Sequence, residues 1–171
     1  KRRIVGELAE RLPSGARFVG SHPLAGSEKS GPRYAEASLF DRRTVIVTPT
    51  EETPGAVVRE VRGFWRSLGA KVQSLSPEEH DRVLAATSHL PHVVAAALAA
   101  SIDEGDLPLS AGGLDDTTRI AGGDEKLWSQ ILLDNAECVL AALERFQRPL
   151  GALEDAIRSG DAAGLENVLT E

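Results

Sequence analysis

Hydrophobic and polar positions along the first part of the chain follow the pattern of an α/β fold. The run TVIVT at residues 44–48 is nearly continuous in β-branched side chains and predicts a buried strand. Thr53 and Pro54 suit the N-cap and first position of a helix, and Gly69 suits its end. The predicted elements are a helix over 1–12, strands over 16–21, 44–48 and 71–75, and a helix from Thr53 to about Leu68. A strand, a helix and a strand at this spacing indicate an open α/β sheet.

The pattern changes after Leu75, and only helices are predicted beyond it. Ser76-Pro77-Glu78-Glu79 has the form of a capping box with proline at the first helical position. The helix that it opens can run to about Ile102, with a kink or break at Pro91, which lacks a backbone N–H. Further helices are predicted at about 114–120, 124–146 and 149–158, and from 161. The predicted domains are therefore an α/β part over 1–75 and an all-helical part over 76–171.

The first predicted helix has no N-cap residue and begins with Lys1, Arg2 and Arg3. Positive charges at a helix N-terminus oppose the helix dipole, so a natural helix start would lie further upstream. We therefore expect the chain to begin inside an element of a longer protein.

Composition and charge narrow the class of protein. The 171 residues carry a formal net charge of −7, which disfavours nucleic-acid binding because such binding depends on clustered Lys and Arg. A single cysteine, Cys138, excludes an intrachain disulfide and fits a small apolar residue of a helix. The longest nearly apolar run, 93–100, is too short to cross a bilayer, and no signal peptide follows the basic start. We expect a soluble cytoplasmic protein with no nucleic-acid or membrane partner.

A histidine follows the first predicted strand, within Gly20–Gly26 (GSHPLAG). Ligands bind at the carboxyl ends of strands in α/β sheets, and a histidine there can exchange a proton near neutral pH. His22 is therefore a candidate catalytic residue. Its position alone also fits a loop histidine with a satisfied hydrogen bond.

Two histidines flank the predicted kink at Pro91. His89 and His92 are three residues apart and share one face of a regular helix. Such a pair could bind a metal ion, but no cysteine or nearby carboxylate completes a plausible set of ligands. The alternative is a structural kink with one core histidine.

A glycine-rich turn leads to an arginine at Gly112–Arg119 (GGLDDTTR), and Trp128 follows nine residues later. A guanidinium group binds a carboxylate through two parallel hydrogen bonds. Arg119 is therefore a candidate ligand of an acidic substrate, or else a surface arginine paired with Asp115 or Asp116. Trp128 alone fits a core or interface aromatic residue.

Together these clusters resemble the prephenate dehydrogenase family, which includes arogenate and cyclohexadienyl dehydrogenases. The matching segments are GSHPLAG and SEKSG over 20–31, EHD over 79–81, SHLPH over 88–92, GGL over 112–114, TRIA over 118–121, and Trp128. Leu24 stands where methionine is more usual, and the two side chains are similar in volume.

The resemblance implies a nucleotide-binding domain followed by a helical domain that intertwines with a second subunit. The expected fold class is an α/β remnant of a dinucleotide-binding sheet followed by an all-α dimerisation domain. The chain contains no G-x-G-x-x-G fingerprint, so its cofactor-binding residues are unknown, and no metal is expected. The expected partners are a second copy of the chain and a small-molecule substrate.

The implied reaction is the oxidative decarboxylation of prephenate to 4-hydroxyphenylpyruvate with NAD⁺ or NADP⁺, a step of tyrosine biosynthesis. By resemblance, His22 is the catalytic histidine that takes the proton of the ring hydroxyl. Arg119 matches the arginine that binds a substrate carboxylate, and His92 matches a residue near the substrate side chain. Glu28 matches an acidic residue that helps gate the pocket.

Two further matches concern the subunit interface. Gly112 and Trp128 match family positions that reach the pocket from the partner subunit. The helical half also carries an apolar stripe on one predicted long helix, which favours a homodimer. The stripe consists of Leu127, Ile131, Leu132, Val139, Leu140 and Leu143.

Two alternatives stay open at this point. The same chemistry on an amino acid side chain would make the enzyme an arogenate dehydrogenase, and the isolated chain could instead be a non-catalytic dimerisation module. We expect the 171 residues alone not to turn over prephenate, because they lack the glycine turn on which a cofactor pyrophosphate rests.

Overall fold

The computed structural model describes residues 1–13, 15–26 and 31–170. The chain divides into two compact units, Lys1–Val83 and Leu84–Glu171. The first unit contains a three-stranded sheet, and the second is helical through its described residues. The predicted fold class, an α/β sheet remnant followed by an all-α region, is confirmed.

The sheet of the first unit is mixed. Its strands are β1 (Gly20–Pro23), β2 (Thr44–Thr48) and β3 (Lys71–Ser74), in the order β1-β2-β3. β1 runs antiparallel to β2, with His22 opposite Ile46. β3 runs parallel to β2, and helix α2 (Gly55–Ser67) makes the crossover between them.

The core of the first unit surrounds the central strand. Val45, Ile46, Val47 and Thr48 of β2 are buried, which explains why this strand is almost continuously β-branched. Helix α1 (Arg2–Arg11) contributes its buried residue Val5.

Two predictions for this unit differ from the structure. β1 begins at Gly20 rather than at residue 16, because its partner β2 ends at Thr48, directly before Pro49. Thr53 does not cap α2: its hydroxyl accepts a hydrogen bond from the Thr50 N–H at 2.9 Å, and Pro54 holds the N-cap position.

The capping box at Ser76 is confirmed. The Ser76 N–H donates to Glu79 Oε2 at 3.0 Å, and the Glu79 N–H donates to Ser76 Oγ at 3.1 Å. Helix α3 (Pro77–Leu84) follows.

The break predicted at Pro91 takes the form of a widened helical turn just before it. Residues Ala85–His89 form a π-helical turn, in which the Leu90 N–H donates to the Ala85 carbonyl, and α4 (Leu90–Ala100) follows. Because Pro91 cannot donate to a carbonyl one turn back, the hydrogen-bond ladder changes register here.

The expectation that no stretch is long enough to span a bilayer is wrong. By length and composition alone, the helical stretch Pro77–Ala100 is long and apolar enough to cross a membrane. The polar residues between 83 and 100 are only Thr, Ser and His, so the helix stays apolar on average although its continuous apolar run is short.

The remaining helices of the second unit follow in short order. They are a 3₁₀ turn at Glu104–Leu109, α5 (Gly112–Thr118), a 3₁₀ turn at Arg119–Gly122, α6 (Glu125–Asp134), α7 (Ala136–Ser159) and α8 (Ala162–Thr170). Their core is a cluster of Ala85, Val139 and Ala142, against which Cys138 packs as an apolar residue.

Two predicted helix boundaries in this unit are wrong. The helix predicted over 124–146 is interrupted at Asn135, whose backbone leaves the helical region. α7 instead continues through Pro149, which removes one hydrogen bond from a helix of 24 residues and leaves the others in place.

We expect Gly20→Ala to lower the free energy of unfolding by about 1–3 kcal/mol, because an added methyl group would collide with buried neighbours. Its Cβ would lie 2.5 Å from Thr48 Oγ1 and 3.0 Å from Val5 Cγ2. Gly6→Ala in α1 is the matched control, since its Cβ would meet nothing within 4 Å; it should raise stability by up to about 1 kcal/mol. Chemical denaturation followed by circular dichroism measures both, and an unchanged stability of Gly20→Ala would contradict the expectation.

Candidate functional site

A line of three side chains connects β1 with α3 in the first unit. His22 Nδ1 lies 2.8 Å from His80 Nε2, and His80 Nδ1 lies 2.9 Å from Asp81 Oδ1. The two imidazole rings are tilted, with centroids 5.1 Å apart. His22 is half-buried on its strand, whereas His80 and Asp81 are buried on their helix. The side chain of the candidate catalytic residue His22 is therefore positioned by a hydrogen bond to the buried His80–Asp81 pair.

Asp81 also contacts the first two residues, at α1. Its carboxylate accepts hydrogen bonds from the backbone nitrogens of Lys1 and Arg2, the latter at 2.9 Å. These bonds join α3 to α1 across 79 positions of the chain.

The surroundings shift the acid–base behaviour of the buried pair. Burial would raise the pKa of Asp81, but hydrogen bonds from the amino-terminal nitrogen, Arg2 and His80 outweigh it, so the pKa lies below its usual value. Burial lowers the pKa of His80, and this outweighs the hydrogen bond to Asp81, which raises it. At neutral pH the pair therefore consists of a carboxylate and a neutral imidazole.

In the second unit, His92 lies against Trp128. The two ring centroids are 3.3 Å apart with the planes tilted by 33°, and His92 also hydrogen-bonds to the Ile120 carbonyl. Burial lowers the pKa of His92, and the bond to Ile120 opposes this shift. His92 is thus a largely neutral imidazole beside an aromatic face at neutral pH.

Neighbouring residues fix the position of the indole. His89 faces Trp128 edge-on at 6.2 Å, and its Nδ1 lies 3.2 Å from Asn135 Nδ2, at the break between α6 and α7. Gly123 packs under the indole, where an added Cβ would lie 2.7 Å from Trp128 Nε1. Any side chain at Gly123 would displace the ring.

The remaining predicted site residues lie on turns. Gly112 is the first residue of α5, and Arg119 begins the 3₁₀ turn that follows α5. Arg119 is exposed and forms no ion pair with Asp115 or Asp116 within the described part of the chain, so its guanidinium can take a carboxylate. Glu28 lies outside the described residues.

The structure groups the candidate residues within each unit. His22 lies with His80 and Asp81, and His92 lies with Trp128. Over the described ranges, no group of three or more His, Cys, Asp or Glu side chains could hold a metal ion. His80 and Asp81 have a place in the site that the sequence analysis did not assign. A His-Asp pair directly after the capping box is the signal that could have found them, because two polar side chains buried on a helix need partners.

Comparison with known families accounts for both units. The nucleotide-binding domain of prephenate dehydrogenase matches residues 1–74, and its dimerisation domain matches residues 76–171. The chain thus combines part of a nucleotide-binding domain with a helical dimerisation domain. The chain belongs to the prephenate dehydrogenase family.

Individual relatives agree with this placement. The chain is 38% identical to a cyclohexadienyl dehydrogenase of Zymomonas mobilis over 92% of its length and 56% of that protein. It is 35% identical to a prephenate dehydrogenase of Bacillus subtilis, over 96% of the chain and 46% of that protein. The chain therefore spans about half the length of the curated relatives that it matches.

Solved structures give the same result. Prephenate dehydrogenase of Aquifex aeolicus in complex with hydroxyphenyl propionate and NAD⁺ is 40% identical, with a TM-score of 0.83 over 91% of this chain and 57% of that one. Arogenate dehydrogenase of Synechocystis is 31% identical, with a TM-score of 0.79 over 91% of this chain and 59% of that one.

We expect the fluorescence of Trp128 to report the protonation of His92, because an imidazolium in contact with an indole quenches its emission. In a Trp65→Phe background, which leaves Trp128 as the one tryptophan, emission should fall as the pH decreases. The midpoint should lie below the ordinary histidine value of about 6.5, since burial lowers the pKa of His92. His92→Gln should abolish this titration and His89→Gln should keep it; the reverse would show that His89 is the quencher.

Proposed function

We propose that the protein containing this chain is an NAD(P)-dependent prephenate dehydrogenase that converts prephenate to 4-hydroxyphenylpyruvate in tyrosine biosynthesis. The observation that carries the proposal is a half-buried histidine, His22, backed by the buried His80–Asp81 pair in a chain of this family. The proposed division of the chain is 1–75 and 76–171, and the matched family regions support it.

His22 is the proposed catalytic residue. A neutral imidazole near neutral pH can accept the proton of the substrate ring hydroxyl as that carbon is oxidised. NAD⁺ or NADP⁺ supplies the hydride acceptor when it is bound. None of the residues of this chain is assigned to the cofactor, because the glycine-rich turn that would hold a pyrophosphate is not among them. That the chain alone does not turn over prephenate stays a prediction.

Arg119 is proposed to bind a substrate carboxylate. It is exposed, unpaired within the described residues and preceded by the glycines of α5, which suits a two-pronged hydrogen bond to an anion. His92, Glu28, Gly112 and Trp128 complete the proposed substrate-binding set. Of these, Gly112 and Trp128 are proposed to reach the pocket of the partner subunit.

The choice between prephenate and arogenate depends on the substrate side chain. Prephenate carries a keto acid and arogenate an amino acid at the same position, so the ring chemistry is shared. The solved relatives include both a prephenate and an arogenate dehydrogenase, which keeps arogenate as the second candidate substrate. Comparing kcat/KM for the two substrates, with each of NAD⁺ and NADP⁺, decides both choices.

We also propose that the protein is a homodimer through its helical unit. The match to a dimerisation domain supports this, and so do large apolar side chains left exposed in that unit. The predicted stripe lies on α6 and α7 rather than on one helix; Leu140 is 60% exposed there, whereas Val139 is buried.

A cytoplasmic location is part of the same proposal. The whole apolar stretch Pro77–Ala100 lies within the region that matches the dimerisation domain. A second subunit therefore accounts for its exposed apolar residues without a bilayer.

His22→Asn in the complete protein should lower kcat by roughly 10²-fold or more and change KM little, because the proton moves only in the transition state. Steady-state kinetics with prephenate measure this. A kcat within threefold of the wild type would show that His22 is not the base.

Arg119→Ala is the contrasting variant in the same assay. It should act mainly on KM, because a carboxylate is held in the ground state and in the transition state alike. An unchanged KM would remove Arg119 from the proposed substrate-binding set.

Sedimentation at micromolar concentration should give a species of twice the 18.2 kDa chain mass. Leu140→Glu should weaken the dimer, because it places a charge among apolar side chains of the helical unit. Phe64→Gln, at a site of similar exposure on α2, is the matched control and should leave the dimer intact. A monomer that persists on concentration would contradict both the dimer and its shared pocket.

A further inference from the structure

The Asp81 carboxylate determines which group donates in the two hydrogen bonds His22–His80 and His80–Asp81. The Asp81 carboxylate can only accept, so His80 Nδ1, 2.9 Å away, must carry a proton. Burial keeps His80 neutral at pH 7, so the imidazole has only this one proton and Nε2 holds a lone pair. His22 Nδ1, at 2.8 Å from that lone pair, must therefore be the donor.

We propose that His80 is a positioning residue that sets the tautomer of His22: its bond to Asp81 forces His22 to carry its proton on Nδ1 and its lone pair on Nε2. This inference rests on the proposed function, in which His22 accepts the proton of the substrate hydroxyl. It adds His80 and Asp81 to the residues on which that step depends.

The tautomer decides whether His22 can act as a base at Nε2. In the proposed step the hydroxyl O–H bond breaks, its proton goes to Nε2, and its electron pair forms the carbonyl as hydride leaves to the nicotinamide. The ring carboxylate leaves as carbon dioxide, and the electron pair of its broken C–C bond makes the ring aromatic and returns the carbonyl to an oxyanion, which takes the proton back from Nε2. Until then His22 carries two protons and one positive charge. The Nδ1–H still donates to His80, and the carboxylate behind it stabilises the charge, as the aspartate does in Ser-His-Asp enzymes.

Burial also keeps the hydrogen bonds His22–His80–Asp81 in place. His80 is 4% exposed and Asp81 is 6% exposed, so water does not replace either partner. The backbone nitrogens of Lys1 and Arg2 hold the carboxylate from the other side, which keeps it ionised and directed at His80.

Two variants of His80 separate positioning from a structural role. Gln has an oxygen at the reach of Nε2 and can still accept from His22 Nδ1, whereas Leu fills the volume with no acceptor. In the complete protein, His80→Leu should lower kcat about 10- to 100-fold with KM within threefold. His80→Gln should stay within about fivefold of the wild type. Glu78→Gln, an exposed change on the same helix, is the control for general effects on α3.

A direct measurement of the tautomer does not depend on activity. In the ¹⁵N-histidine-labelled chain, which has four histidines, nitrogen shifts and couplings identify the protonated nitrogen of each ring. We expect His22 protonated at Nδ1 in the wild type and in His80→Gln, and a mixture of tautomers in His80→Leu.

The outcomes distinguish this inference from the proposed function. Wild-type His22 protonated at Nε2, or Leu and Gln variants with equal kcat, would overturn the role of His80. If the spectra show the expected tautomer but His22→Asn leaves kcat unchanged, the general-base role fails and the tautomer assignment stands.

Discussion

A buried carboxylate must be surrounded by donors, and in the first unit this requirement falls on Asp81. An ionised group removed from water is stable only when hydrogen bonds replace its hydration. Asp81 obtains these bonds from two elements, α1 and its neighbour His80 on α3. His80 in turn is hydrogen-bonded to His22 on β1. The position of a side chain at the edge of the sheet is thus set by a charge on a helix.

In the second unit, His92 is positioned by the packing of aromatic rings and not by a buried charge. His92 lies against the indole of Trp128, and the indole lies on the bare backbone of Gly123. The π-helical turn before Pro91 adds one residue to the helix just ahead of this contact. Without the extra residue, a regular helix would turn the residues after Pro91 by about 100° around the helix axis from their present direction. The turn therefore decides which face of α4 carries His92.

Local patterns predicted the elements that depend on local interactions. The strand Thr44–Thr48 and the capping box at Ser76 are encoded by adjacent residues, and both were predicted with correct bounds or contacts. The start of β1 and the interruption at Asn135 depend on partners far along the chain, so spacing alone placed them wrongly. Among the site residues, His22 was singled out by its motif. The role of His80 was missed because its partner is 58 positions away.

The distance along the chain between His22 and His80 has a consequence for how the first unit folds. The strand that carries His22 and the helix that carries His80 and Asp81 are separated by 58 positions of chain. Closing a loop of this length costs entropy, and only contacts between the sheet and α3 can offset that cost. The proton-accepting geometry at His22 is therefore a property of the assembled unit, and a segment around His22 alone would not hold it.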